Sequence, residues 1–354
     1  MTIHSASARL DGADPADIIA RVGAGLDQMD QPYRADPAQW LDYDTGIGLI
    51  RLRSSDGGLA IDLEADSAGN LHMLREGITW QLDQLGLPEQ AALDWADAPD
   101  AERHPPNFRV ATVLAKSRIG DSFIRLRLAA PDLEDFARSG LHYRLLLPPA
   151  RRDPKWPVIG ANGRTLWPEG EDALHTPAYT IRAIDAERGH FDTDILIHGR
   201  GPTCAWAETV EEGAIVGLSG PGGGWLPEGR KLTLLGDETA LPAIARILES
   251  CAPDTVGEAL IQVDGEGDIQ SLAAPEGITV TWLLRGRDPE LSDALEALTL
   301  PEGEGRFAWF AAEKSQADRA RKYLRGKAGF DRKEVYIAAY WVNTDGAEDL
   351  SGDR

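Results

Sequence analysis

The stretch Leu235-Gly236-Asp237-Glu238-Thr239-Ala240-Leu241-Pro242-Ala243-Ile244 decides the fold. It closes a short apolar strand, Lys231 to Leu235, and opens a helix over Ala240 to Ser250. Thr239 has a side chain suited to capping that helix. Pro242 falls in its first turn, where a missing N–H is harmless. The same rhythm continues downstream. Strands are expected at Ala259 to Val263, Ile278 to Leu284, Phe307 to Ala311 and Val335 to Tyr340, with helices near Leu291 to Leu298 and Ser315 to Arg325. Short apolar strands alternating with helices predict a parallel sheet covered on both faces. Such sheets take ligands outside the carboxyl ends of their strands, where the quoted stretch lies. It is not Gly-x-Gly-x-x-Gly, so the usual dinucleotide fingerprint is absent.

The segment before it is β-rich. Phe108 to Lys116, Ser122 to Ala129, Tyr143 to Leu147, Tyr179 to Ile184, Phe191 to Ile197 and Ala214 to Leu218 read as six strands of an antiparallel barrel. Two pieces of it can carry chemistry. In Tyr179-Thr180-Ile181-Arg182 a tyrosine ring, a hydroxyl and a guanidinium follow one another on a strand. They suit a flat aromatic ligand with a polar, anionic edge, although a plain exposed strand would read the same. In Asp194-Ile195-Leu196-Ile197-His198-Gly199-Arg200-Gly201-Pro202-Thr203-Cys204-Ala205-Trp206 a strand ends, a glycine-rich turn follows and a helix begins. Glycines let backbone approach a phosphate, and a helix N-terminus offers free N–H donors. Cys204 reads as a small residue fitting a tight turn, with a redox thiol lacking a resolving partner as the alternative. A long loop, residues 150–175, carries Arg151, Arg152, Lys155, Trp156 and Trp167, and loops of that length are often functional.

Residues 1–106 form a third part. Gly48 to Arg53 and Leu59 to Glu64 read as a hairpin. Leu71, Leu74, Ile78, Leu82 and Leu85 line one stripe of a helix that Gly86 ends. His72 beside that stripe reads as structural. Residues 98–106, rich in Asp and Pro, read as a linker. This part has 19 acidic residues against 7 Arg and no Lys, a net charge of −12 out of −22 for the 354-residue chain. An acidic surface repels nucleic acid and anionic membranes, so neither is expected as a partner. The start of the chain lacks a basic n-region followed by an apolar run, and no stretch is apolar enough to span a bilayer, so a cytoplasmic protein is expected. Cys204 and Cys251 make neither a disulfide framework nor a zinc site, and no metal-ligand spacing is present.

The order of these motifs resembles the siderophore-interacting proteins, flavin-dependent ferric-siderophore reductases of the ferredoxin–NADP reductase superfamily. The resemblance rests on Gly236 to Ile244, on His198-Gly199…Gly201-Pro202…Trp206-Ala207, on Trp282 to Arg285, and on Ala312-Glu313 with Tyr340-Trp341. It covers about residues 107–345. The first hundred residues, which read as a small α+β module, resemble more loosely a small domain of unknown role fused ahead of such reductases (1–104); the resemblance implies an FAD-binding barrel (105–225) and an NAD(P)H-binding α/β domain (226–345), which leaves a tail (346–354). It further implies that Tyr179, Thr180 and Arg182 meet the isoalloxazine side of FAD, and that Asp194, His198, Gly199, Gly201 and Trp206 surround its phosphates and adenosine. Tyr340 and Trp341 would close the flavin pocket, and Asp237, Glu238 and Thr239 would face the nicotinamide cofactor. No catalytic acid–base residue and no protein-bound metal are implied. Pro177 and Val342 stand where the family carries Arg, with Arg144 or His175 as substitutes for the first.

Two expectations concern charge. Arg285 and Arg287 follow the third parallel strand, where the superfamily carries its phosphate-binding Arg, so NADPH is expected over NADH. Asp264 and Glu266 after the second strand argue the other way. Arg151, Arg152 and Lys155 form a candidate site for an anionic ferric chelate. A protein electron carrier as the true acceptor, or a non-enzymatic siderophore binder with vestigial cofactor sites, are the alternatives.

Overall fold

The computed structural model describes residues 2–28, 31–55, 57–88, 91–97, 101–138, 140–160, 163–223 and 226–343. The expected tail (346–354) and part of the linker (98–100) lie outside them. Contacts divide the chain into two compact units. One comprises residues 1–110, 145–176 and 217–220; the other comprises 111–144, 177–216 and 221–354.

The first unit is built on a six-stranded sheet. Its elements are β1 (His4–Asp11), α1 (Pro15–Gln28), β2 (Arg34–Asp36), β3 (Trp40–Asp44), β4 (Gly48–Ser55), β5 (Gly58–Ala65), α2 (Ala68–Gln84) and β6 (Ala92–Trp95), in the order β2-β3-β4-β5-β1-β6. The hairpin expected at 48–64 is present, with Ser55 opposite Gly58 at its tip. Alternation puts Leu59, Ile61 and Leu63 on the core face, against Ile18, Ile19, Val22 and Leu26 of α1 and Leu74, Ile78 and Leu82 of α2. Ser67 caps α2 by accepting from the Asn70 N–H (3.1 Å), and Gly86 ends it at φ +56°. His72, Arg75 and Thr79 are buried on a second side of the same helix.

Next come β7 (Phe108–Ile119), β8 (Phe123–Ala129), α3 (Glu134–Arg138), β9 (His142–Leu146), β10 (Val158–Ile159), β11 (Thr165–Leu166), β12 (Ala178–Thr180), β13 (Ala183–Asp185), β14 (His190–Leu196), α4 (Pro202–Thr209) and β15 (Ile215–Gly222). The barrel sheet has seven strands, ordered β12-β9-β15-β7-β8-β14-β13, one more than the sequence suggests. The extra strand comes from splitting the expected strand 179–184 in two. Thr180 pairs with His142 of β9, the Ile181 N–H donates to the Leu141 carbonyl (2.9 Å), and the Arg182 N–H donates to the Asp192 carbonyl of β14 (2.8 Å). The chain thus changes neighbours in mid-run and brings the two sheet edges together, which is how a barrel closes. The loop at 150–175 is not structureless: β10 and β11 form a small hairpin within it.

The parallel domain contains β16 (Lys231–Gly236), α5 (Leu241–Ser250), β17 (Val256–Val263), β18 (Gly277–Leu284), α6 (Leu291–Ala297), β19 (Arg306–Glu313), α7 (Lys314–Arg321) and β20 (Val335–Trp341). All four pairings in β18-β17-β16-β19-β20 are parallel. Central β16 and β19 are buried almost throughout, as continuous apolar strands between helical layers must be. Ile244, Ile247 and Leu248 of α5 cover one face, while α6 and α7 cover the other. The strand order reverses between β16 and β19, so the switch point lies beyond Gly236 and Glu313.

Candidate active site

Asp237 and Glu238 leave β16 at this switch point and are both buried, 1 % and 6 % exposed. Asp237 is fully bonded. Its Oδ1 accepts from the Thr239 N–H (3.0 Å) and hydroxyl (2.5 Å), and its Oδ2 accepts from the Trp341 indole Nε1–H (2.7 Å). Thr239 therefore does not cap α5 as the sequence suggests, because Asp237, two residues back, captures its hydroxyl. Ala240 is the N-cap and contributes no side-chain bond. The Trp341 bond ties the end of β20 over the switch point, with the indole still 37 % exposed.

Glu238 is only half satisfied. One oxygen, Oε2, accepts from Arg285 Nη2 (2.5 Å), while Oε1 is buried without a partner. Burial pushes this carboxyl up to about 7, against the pull of the Arg285 charge. Arg285 also donates through Nε to Asp264 Oδ1 (2.9 Å), and Arg287 pairs with Glu266 (3.2 Å). The two arginines expected to attract a phosphate thus already face the acids that end β17. Arg285 stands between two carboxylates, Glu238 and Asp264, and Arg287 is matched by Glu266.

On the barrel side, Tyr179 lies half-buried against the start of α4 and is hydrogen-bonded to Thr203. Burial raises its phenol to about 12. Strand β14 leads through exposed His198 into Gly199 and Gly201, at φ +76° and +81°, where a side chain would be strained. α4 follows with Pro202 at its start and no side-chain cap, which leaves its first N–H donors for another acceptor. Trp206 is half-buried on α4. Cys204 is buried and donates its thiol to the Leu196 carbonyl (3.4 Å), which fits a packing role.

Two of the residues expected beside the flavin already have charged partners within the protein. Asp194 is bidentate to Arg125 (2.7 and 2.8 Å), beside a second pair of Arg127 with Asp192 (2.8 and 3.0 Å). Arg182, 8 % exposed, sends both Nη groups to Glu249 of α5 (2.8 and 2.7 Å), and its Nε stays buried without a partner. Arg246 of α5 returns the contact, donating to the carbonyls of Ile181 (3.1 Å) and Gly140 (3.3 Å). Burial pulls its guanidinium down to about 10. Tyr340 is an internal strut. The His142 Nδ1–H donates to the Gly223 carbonyl (2.9 Å), which leaves Nε2 to accept the Tyr340 hydroxyl (2.7 Å). Burial lowers the pKa of this imidazole, against the pull of the Gly223 carbonyl. Arg144 stands opposite Ala178 on the exposed face, one position from Pro177.

Sequence reasoning missed Arg125, His142, Arg246 and Glu249. Only the first left a signal: Arg125-x-Arg127 and Asp192-x-Asp194 are alternating cations and anions on two strands, the signature of a cross-strand charge ladder. The third expected group, Arg151, Arg152 and Lys155, is largely neutralised in the first unit. Asp172 accepts from Arg152 Nε (2.8 Å) and Lys155 Nζ (2.5 Å), and Glu171 accepts from Arg152 (3.0 Å). Arg151 has a left-handed backbone, φ +66°.

The barrel residues 112–225 match the family model described as the siderophore-interacting FAD-binding domain, which makes the molecule a flavoprotein with a parallel-sheet second domain. Residues 229–344 match the model described as siderophore-interacting protein. Over 258 residues the chain is 30 % identical to the ferric vibriobactin reductase ViuB of Vibrio cholerae, covering 70 % of this chain and 93 % of that one. It is 28 % identical over 253 residues to the NADPH-dependent ferric-chelate reductase of Escherichia coli (69 % and 96 %). A siderophore utilization protein from T. fusca superposes with a TM-score of 0.61 at 28 % identity, covering 71 % of this chain and 99 % of that one. The chain belongs to the siderophore-interacting protein family.

Proposed function

We propose that this protein is an FAD-dependent NAD(P)H:ferric-siderophore oxidoreductase working in the cytoplasm. The observation that carries the reading is the succession of an FAD-binding barrel and a parallel sheet whose switch point presents a buried, half-satisfied carboxylate. The residues fit the flavin. The left-handed Gly199–Gly201 turn and the uncapped start of α4 suit its phosphates, and the buried free Nε of Arg182 suits an acceptor on its ring. Bound FAD would supply the exchange between two-electron hydride chemistry and single-electron transfer to iron(III), chemistry that no side chain supplies.

The side chains hold and orient. Tyr179 and Thr180 offer a ring and a hydroxyl on one strand, and Arg182 with Glu249 and Arg246 keeps that strand against α5. Glu238 Oε1 offers an acceptor to an amide N–H of the nicotinamide cofactor, while Asp237 holds Thr239 and Trp341 in place around it. Arg285 and Arg287 serve the adenosine phosphate of NADPH in competition with Glu238, Asp264 and Glu266. NADPH is therefore favoured only modestly over NADH. Arg151, Arg152 and Lys155 contact an anionic chelate by exchanging Asp172 and Glu171 for it.

Reconstitution tests this reading. The protein incubated with FAD and desalted should be yellow, and NADPH under anaerobic conditions should bleach it. Tyr179→Ala should weaken FAD binding by about 1–3 kcal/mol, roughly fivefold to a hundredfold. Protein that takes up no FAD at any concentration would rule the reading out and favour a binding protein.

A further inference from the structure

The first unit joins the N-terminal sheet to the excursion 148–174, which leaves the barrel after β9 and returns before β12. Its neck is closed by reciprocal backbone bonds between Leu147 and His175 (2.8 and 3.0 Å). Within it, the β10–β11 hairpin is gripped on two sides. On one side, α2 presents three residues. Asp83 is bidentate to Arg164 (2.6 and 2.8 Å), Glu76 Oε1 accepts from the Thr165 N–H (3.0 Å), and His72 Nε2 shares a bond with the Thr165 hydroxyl (2.9 Å). On the other side, the segment before β7 exchanges backbone bonds with the hairpin. The Glu102 N–H donates to the Ile159 carbonyl (2.8 Å) and the Ile159 N–H donates to the Arg103 carbonyl (2.8 Å). His104 Nδ1 bonds the Pro157 carbonyl (2.8 Å), and Trp156 packs on Phe108 with ring centroids 5.6 Å apart.

This grip gives α2 a second set of contacts besides the core of its own sheet. Leu74, Ile78 and Leu82 serve the core of the sheet, whereas His72, Glu76 and Asp83 reach residues of another segment. The family models begin at residue 112, and the Vibrio reductase is covered over 93 % of its length by 70 % of this chain, so the grip is an addition to the matched body. The gripped excursion carries Arg151, Arg152 and Lys155, and four residues after His175 the chain reaches Tyr179.

We propose that the N-terminal domain is a positioning module whose helix α2 fixes the 148–174 excursion and thereby sets affinity for the ferric chelate. His72, Glu76 and Asp83 act as positioning residues, through the hairpin and not on the chelate itself. The substrate half of this inference rests on the function proposed above. The holding half stands on the contacts alone.

The test uses the full-length protein and three forms: wild type, Asp83→Arg, and the charge swap Asp83→Arg/Arg164→Asp. Asp83 is about half exposed, so the single variant can fold. Amide hydrogen exchange across 157–168 should quicken about tenfold or more in Asp83→Arg and recover in the swap. In the same variant KM for a ferric chelate such as ferric citrate should rise at least about threefold and recover in the swap, with NADPH-driven flavin bleaching unchanged in all forms. Unchanged exchange in Asp83→Arg would overturn the grip. Faster exchange with an unchanged KM would overturn its role in substrate binding. Wild type that is bleached by NADPH yet reduces no chelate would overturn the functional reading and the substrate half together, while the exchange result would still decide the holding half.

Discussion

Glu238 concentrates the chemistry of the switch point in one side chain. A carboxyl raised from 4.5 to about 7 binds more protons in the folded than in the unfolded chain between those values. Its contribution to stability is complete below about pH 4.5 and is lost as pH rises through about 7. Glu238→Gln should flatten that part of the stability–pH curve, measured by urea unfolding of the FAD-free protein at intervals from pH 5 to 8. An unchanged slope would mean that Glu238 is ionised throughout. The same substitution puts an amide N–H where a donor from the cofactor is expected, so the KM for NADPH should rise about tenfold while FAD affinity stays constant. His142 shifts stability in the opposite direction. Its pKa is lowered by burial, so acidification below about 6.5 favours the unfolded chain. The residues at the switch point were legible as a group in the sequence because they follow an apolar strand and precede a helix. Their partners were not. Asp264 lies 21 residues from Arg285, and Trp341 lies 104 from Asp237, and local spacing does not report such distances.

At the scale of elements, the central parallel strands β16 and β19 were readable because a strand buried on both faces must be apolar nearly throughout, and the alternation with helices marked the others. The break between β12 and β13 was hidden. Tyr179 to Ile184 is uniformly strand-like, and its change of partner is dictated by where β9 and β14 end, not by its own residues. The long loop concealed a hairpin for a related reason: β10 and β11 are two residues each and are held by α2 and residues 102–104, not by their own propensity. The turns after β17 and β18 yield a prediction at this scale. Asp264→Asn with Glu266→Gln releases Arg285 and Arg287 from two of their acidic partners. The ratio of kcat/KM for NADPH over NADH should then rise several-fold, the scale of a charge-assisted bond to phosphate. An unchanged ratio would show that these arginines do not meet the phosphate that separates the two cofactors.

At the scale of the whole molecule, an FAD-binding barrel is followed by a parallel switch-point domain, and the N-terminal sheet shares its compact unit with the 148–174 excursion. In the proposed reaction electrons leave nicotinamide in a pair and reach iron one at a time. Its most direct measurement is anaerobic and stoichiometric. FAD-loaded protein is mixed with a limiting amount of NADPH and an excess of ferric siderophore, and ferrous iron is trapped by a coloured chelator while nicotinamide absorbance is followed. Two ferrous ions are expected for each NADPH consumed, with the flavin bleached by NADPH alone and yellow again once the ferric chelate is added. Bleached flavin that stays bleached in the presence of every ferric chelate, with no ferrous iron formed, would contradict it.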